Sequence, residues 1–297
     1  MLRSIEALLA AFSLGTAILA QQQPAANVSN CRVASKVVRL DGLSEASGIA
    51  ASRRTAGLLW AHNDSGDPVI VAIDSQGGIK SKVRVTGATV DDWEDIAVGP
   101  CPPGSCLYIA DIGDNSGSRK HVTLYRVTEP APTDTATKPA EAFHATYPDG
   151  PHDAEALFVL GESDVFILTK GDPGPVALYK LQAPLKPGTT SQMQRIGGPV
   201  ATGRIEAKDR PTAADVSPDG QWVAVRTTKW IAFYRTSDLT AGRWREVFRA
   251  DVSELDEPRG EGVAFVDNNT LVLVGEAGGL LKGPGTFARL TCTFSQR

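Results

Sequence analysis

Five stretches of this chain repeat one pattern, and the repeat limits the possible folds more than any other feature. The first is "SGIAAS" from Ser47, followed by "GLLWAHND" and "PVIVAID". The second is "EDIAVG" from Glu94, followed by "CLYIADIGDN" and "VTLYRV". The third is "EALFVL" from Glu155, then "DVFILTKGD" and "VALYKL". The fourth is "TAADVSPDG" from Thr212, then "QWVAVRTTKW" and "IAFYRT". The fifth is "EGVAFVDNN" from Glu261, then "TLVLVGEAG" and "FARLTCTF". Each unit is a strand of small and apolar residues, a turn, a β-branched strand ending in polar residues, and a third strand. Fourth strands are expected at "IKSKVRV", "EAFHATY", "QMQRIGG" and "REVFRADV". Turn residues recur between the strands, and helical spacing is nearly absent. Such a unit cannot bury both faces alone but can do so against copies of itself. The expected fold is therefore an all-β, five-bladed β-propeller. A six-bladed ring, with the extra blade in "KPGTTSQMQRIGGPVATGRIEAKDR", is the alternative.

The fifth unit runs out of chain before a fourth strand, while "RVASKVVRL", Arg32 to Leu40, is a spare strand at the other end. A propeller closes when the N-terminal strand completes the last blade, which sets Arg32–Leu40 antiparallel to "FARLTCTF". That closure brings Cys31 to Cys292. The turn "CPPGSC" brings Cys101 to Cys106, so the four cysteines of the chain pair in two bridges. Bridges require an oxidising compartment. The N-terminus agrees with one: Arg3 precedes the apolar run Ala7–Ala20, which ends in small residues as a secretory signal does. Residues 1–20 are read as that signal, 21–30 as a flexible leader and 31–297 as one propeller domain, secreted or periplasmic. Net charge is −4 and no basic run appears, which excludes a nucleic-acid partner. Nothing points to a membrane once the signal is removed, and a monomer is expected.

The innermost strands of a propeller line its central channel and all begin at one face. Here they begin with Ser47, Glu94, Glu155, Thr212 and Glu261, spaced 47, 61, 57 and 49 residues apart. Three carboxylates and two hydroxyls thus converge on one axis. Facing carboxylates raise one another's pKa, and a cation relieves the repulsion. Ca²⁺ takes about 6–8 oxygen ligands, which suits this set. Mg²⁺, with its stricter octahedron, fits less well, and Zn²⁺ would want His or Cys.

The Ser, Glu, Glu, Thr, Glu series resembles the channel calcium site of the secreted calcium-activated nucleotidases (apyrases), five-bladed propellers in which a Ser, Glu, Glu, Ser, Glu series holds the ion. The resemblance implies that Ser47, Glu94, Glu155, Thr212 and Glu261 are the ligands, with Thr212 a conservative departure. The motifs "HNDSG", "DWEDIA" and "DIGDN" look instead like a family of uncharacterised secreted bacterial propellers.

The second strands end on the same face. They offer His62, Asn63 and Asp64 from blade one, Asp111, Asp114 and Asn115 from blade two, Lys170 from blade three, Arg226 from blade four and Glu276 from blade five. Beside a cation, Lys170 and Arg226 could hold an anionic small molecule, with Asn63, Asp64, Asp114 and Asn115 as further contacts. His62, Asp111 or Glu276 could orient a water as general base. The same residues also suit plain structure: "NDSG" and "DIGDNSG" are Asx-turn sequences, and Lys170 and Arg226 could brace the ring. Asp91 and Asp92 read as solvated loop residues and Trp93 as packing between blades. Asp95 finds no partner, because its counterparts are Gly48, Ala156, Ala213 and Gly262. Neither a G-x-S-x-G elbow nor a phosphate-binding glycine loop is present. Two functions remain: a metal-dependent hydrolase of a phosphorylated or other anionic small molecule, or a calcium-stabilised propeller that binds a ligand or protein without turnover.

Overall fold

The inner strands carry apolar residues on both faces, and the outer strands on one. Strands β4 (Leu58–Asn63), β8 (Gly104–Asp111), β12 (Val165–Thr169) and β17 (Trp222–Thr227) are buried almost throughout. By contrast β6 (Ile79–Arg84), β10 (Glu141–Thr146) and β19 (Glu246–Asp251) alternate between buried and exposed. A sheet sandwiched between two others loses its polar face near the centre and regains it at the rim. The computed structural model describes residues 30–102, 104–172, 174–199, 205–278 and 283–294, and shows that arrangement. The signal and almost all of the leader lie outside the described residues.

Five antiparallel sheets stand around an axis as a five-bladed β-propeller. Blade one is β3 (Ala46–Ala51), β4, β5 (Val69–Asp74) and β6. Blade two is β7 (Trp93–Cys101), β8, β9 (Val122–Thr128) and β10. Blade three is β11 (Ala154–Val159), β12, β13 (Leu178–Lys180) and β15 (Gln194–Gly197). Blade four is β16 (Pro211–Val216), β17, β18 (Trp230–Arg235) and β19. Blade five is β20 (Arg259–Phe265), β21 (Thr270–Glu276) and β22 (Gly285–Cys292). The inner strands touch in a closed circuit: β3 to β7, β7 to β11, β11 to β16, β16 to β20 and β20 back to β3. Each blade interface holds its own apolar cluster, centred on residues such as Trp60 and Trp93, Tyr108 and Tyr179, Phe158 and Leu178, Phe233 and Phe265, and Leu59 and Phe287.

Closure follows the expected route. The spare strand is split into β1 (Cys31–Val33) and β2 (Val38–Leu40), and both pair antiparallel with β22 as the outer edge of blade five. Cys31 lies directly opposite Cys292 in that register and is bonded to it, with Cα atoms 4.0 Å apart. Cys101 and Cys106 bond across the β7–β8 turn. The stretch considered for a sixth blade is divided between its neighbours: β14 (Thr190–Gln192) adds in parallel to the edge of blade two, and β15 completes blade three.

Candidate metal centre and the mouth of the channel

Each inner strand breaks register with its neighbour at the ring position. The breaks fall between Ala46 and Ile49, Trp93 and Asp95, Ala154 and Ala156, Pro211 and Ala213, and Gly260 and Val263. They contain Ser47, Glu94, Glu155, Thr212 and Glu261. A bulge adds an unpaired residue and re-aims its side chain, so the same device recurs in every blade at the five positions. All five are buried.

Their roles differ. Carboxylate oxygens of Glu94, Glu155 and Asp153 lie within 4.8 Å of one another. The Ser47 hydroxyl donates to the Glu94 carbonyl of the next blade at 2.7 Å, and the Thr212 hydroxyl to the Glu261 carbonyl at 2.9 Å. These two staple adjacent inner strands, and their oxygens keep lone pairs for a cation. Burial, then Glu155, pushes the Glu94 carboxyl well above its ordinary range. Burial and Glu155 likewise push Glu261 up to about 8.

Two cations stand in this ring. The Lys170 ammonium contacts Glu155, sits 3.1 Å from Asp153 and donates to Asn115 Oδ1 at 3.3 Å. Burial opposes its charge, but Glu155 and Asp153 outweigh that and hold it above the ordinary lysine pKa. Arg259 lies 2.6 Å from Glu261 and 3.4 Å from Glu276. Arg259 is shared between Glu261 and Glu276, so the tight cluster of Glu94, Asp153 and Glu155 has Lys170 as its contacting cation. An all-oxygen, acidic donor set of this kind suits a hard divalent cation such as Ca²⁺. Glu94, Glu155 and Asp153 would hold it, with Glu261, Ser47 and Thr212 around them.

Asp153 and Arg259 carry no assignment from sequence, yet both sit two residues before a ring glutamate, as does Asp92. The same offset recurs in three blades, so this spacing was the available signal. Asp92 is also not the solvated residue expected. It is half-buried over the ring, with its pKa raised by burial and then by Asp153, and Asn115 donates to it at 3.3 Å. Gly113 of "DIGDN" makes this approach possible, since a Cβ there would collide with the Asp92 and Glu94 carboxylates.

Among the mouth residues, Asn115, Lys170, Asp64 and Glu276 do gather near the ring. Asp64 is half-buried, and burial with the charges of Glu276, Glu45 and Asp92 pushes it up to about 6. Asn63 accepts from Glu45 N at 3.3 Å. The others are structural. His62 is wholly enclosed, edge-on to Trp93 at 5.5 Å, with its pKa lowered to about 4 by burial. Asp111 anchors its loop, accepting from Asp91 N, Asp92 N and Arg119 at 3.2, 3.1 and 2.8 Å. Asp114 accepts from Ser118 N and Arg119 N, both at 2.9 Å, as an Asx turn does. Arg226 is fully buried between blades four and five, paired with Glu257 and donating to Gly262 O at 2.6 Å and Val274 O at 2.8 Å. Its side chain never reaches the mouth.

Asp95 acquires its partners here. It is fully buried, and its carboxylate accepts from Ile96 N at 2.9 Å, Leu157 N at 2.8 Å and Ala214 N at 3.1 Å. One side chain thereby links blades two, three and four beneath the ring. Burial pushes its pKa up while the three N–H groups favour the carboxylate.

Comparison with known proteins supports the fold. No protein-family model matches the chain, and no curated protein sequence matches it either. Similar structures include the PQQ-bound aldose sugar dehydrogenase of Streptomyces coelicolor, 13% identical over 90% of this chain and 99% of that one, with a TM-score of 0.53. Another is the major Malassezia sympodialis allergen Mala s 1, 11% identical over 86% of this chain and 96% of that one, with a TM-score of 0.55. At such identities the likeness concerns the propeller architecture alone.

Proposed function

We propose that this protein is an exported, monomeric propeller that binds one Ca²⁺ in its channel and uses the mouth above it to bind a ligand without turnover. The observation that carries the metal is the buried cluster of Glu94, Asp153 and Glu155, three carboxylates that meet one cation in contact, Lys170. The ion would supply the missing positive charge and tie blades two and three. Binding is favoured over hydrolysis because the three residues singled out as general bases are engaged: His62 is enclosed, Asp111 accepts from three donors and Glu276 faces Arg259. An anionic small molecule would be met by the ion, Lys170 and Arg259, and opposed by Glu45, Asp64, Asp92 and Glu276 around the rim. Two disulfides accord with an oxidising compartment. Among the described residues no helix is long and apolar enough to cross a membrane.

Elemental analysis after dialysis tests the metal: one calcium per chain is expected, lost in Glu94→Gln and Glu155→Gln with a fall in Tm. Unchanged content and Tm in both variants would refute it. The apyrase resemblance keeps hydrolysis testable by a screen of nucleoside di- and triphosphates and generic phosphoesters, with Ca²⁺ or chelator. Metal-dependent turnover there would replace the binding function with the hydrolase.

A further inference from the structure

Lys170 reaches the ring from the end of β12, the second strand of blade three, where a strand end can carry any residue. Its backbone N–H is fixed to Asp153 O at 2.9 Å, so the side chain starts from a held position. The ammonium then lies against Glu155, 3.1 Å from Asp153 and 3.3 Å from Asn115, with little exposure. Glu155 and Asp153 are two of the three residues whose oxygens converge closely enough for a metal. They are also the two that Lys170 touches. A protonated amine and a divalent cation cannot both take the same oxygens without strong repulsion at such range. Asn115 Oδ1, already within reach, offers the ammonium a second partner on the outer side.

We infer that Lys170 is a tethered competitor of the channel cation: its ammonium serves Asp153 and Glu155 when the ion is away and must yield them when the ion binds. This rests on the metal reading above and adds to it. A ring of buried carboxylates without any counterion would disfavour folding, because uncompensated buried charge is costly. Lys170 lets the chain fold before it meets calcium, and it weakens the calcium site by the same contacts. The site is thereby tuned for exchange with its surroundings, not for permanent retention. Arg259 differs in this respect. It holds Glu261 and Glu276, outside the tight cluster, and has no reason to move.

Two properties should therefore move in opposite directions in Lys170→Met, which keeps the length of the side chain and removes its charge. Calcium affinity, measured by isothermal titration against CaCl₂, should rise by at least about tenfold over the wild type. The melting temperature in chelator should fall below that of the wild type, while the two proteins should converge in saturating calcium. Lys170→Gln should repeat both changes, and a variant that folds only with calcium present is the same result in its extreme form. Affinity equal to or weaker than wild type in both variants, with the wild type itself binding calcium, overturns the competitor role and leaves the metal site standing. If neither wild type nor variants bind calcium at millimolar concentration, the metal reading falls, and this inference with it.

Discussion

Asp95 gives the sharpest test of how the blades are held together. An innermost strand has no strand on its channel side, so some of its N–H groups face the axis without a ladder partner. Asp95 supplies the acceptor for two of these from other blades, Leu157 N at 2.8 Å and Ala214 N at 3.1 Å, and for its neighbour Ile96 N. Asp95→Ala strands the two cross-blade donors in a site closed to solvent. A buried donor left unmet costs about 1–3 kcal/mol. Relief from burying a carboxylate offsets part of that, so a net loss of about 2–4 kcal/mol is expected. At about 2–4 °C per kcal/mol for a domain of this size, Tm should fall by about 4–16 °C. Asp95→Asn should lose less, about 1–2 kcal/mol. Its one oxygen can still serve Leu157 and Ala214, but its NH₂ then opposes the Ile96 N–H. Asp95→Leu keeps the branched shape in a larger side chain and lacks the acceptors, and should fall with Ala. Urea unfolding in saturating calcium provides the measurement, and calcium content should stay at the wild-type level in all three. Equal stability of wild type and Asp95→Ala, or a gain in Asp95→Leu, would show that the three-blade link contributes nothing.

Arg226→Met leaves Glu257 buried without its partner and should cost about 3–5 kcal/mol, while Arg226→Met with Glu257→Gln should recover much of it; chemical denaturation of the two variants decides. In chelator, Tm should fall as pH rises from about 4.5 to about 8, because burial raises the Glu261 carboxyl to about 8 and the folded chain holds a proton that the unfolded chain releases. Calcium should reverse that trend, since it needs the ionised ring, and thermal scans across pH with and without chelator read both. Cys31→Ser with Cys292→Ser opens a loop of sequence separation 261 and should cost about 2–5 kcal/mol. Limited proteolysis should then release the N-terminal strands β1 and β2 first.

The repeat, the blade count, the closure and the Cys31–Cys292 bridge were legible because each depends on periodicity, which a chain states openly, and Cys101–Cys106 because a short turn joins them. Strand β7 is an example: "WEDIAV" aligns with "AEALFV" of β11 residue by residue, and the bulge at Glu94 recurs at Glu155. Roles within the mouth were less legible. Arg226 and Lys170 both come from the ends of second strands, yet one is swallowed between blades four and five and the other reaches the ring. In register Arg226 matches Leu168, two places before Lys170, and Gly260 makes room for it, since a Cβ there would collide with the guanidinium. That small residue opens a slot on the neighbouring blade for Arg226, and a contact between blades has no period to betray it. His62 is similar: Gly48 leaves the space its imidazole fills, since a Cβ there would lie 2.5 Å from Nε2.

The carboxylates of "DDWEDIA" show how strand geometry divides equal residues into unequal tasks. Asp91 stays exposed, in reach of Arg119 at 3.5 Å. Asp92 and Glu94, two apart, share the channel side and repel each other. Asp95 follows the bulge and turns beneath them to the backbone of blades three and four. The same step of two places Asp153 beside Glu155 and Arg259 beside Glu261, so the ring has a second tier written into the sequence at a fixed offset. That tier is acidic on blades two and three and basic on blade five. Such a split cannot come from a need for solubility, which would be met by either sign. It places the charge deficit over Glu94 and Glu155, where Lys170 also enters, and leaves Glu261 compensated by Arg259. A cation drawn to this channel should therefore settle toward blades two and three, with Glu261 the most distant and least important of its glutamates.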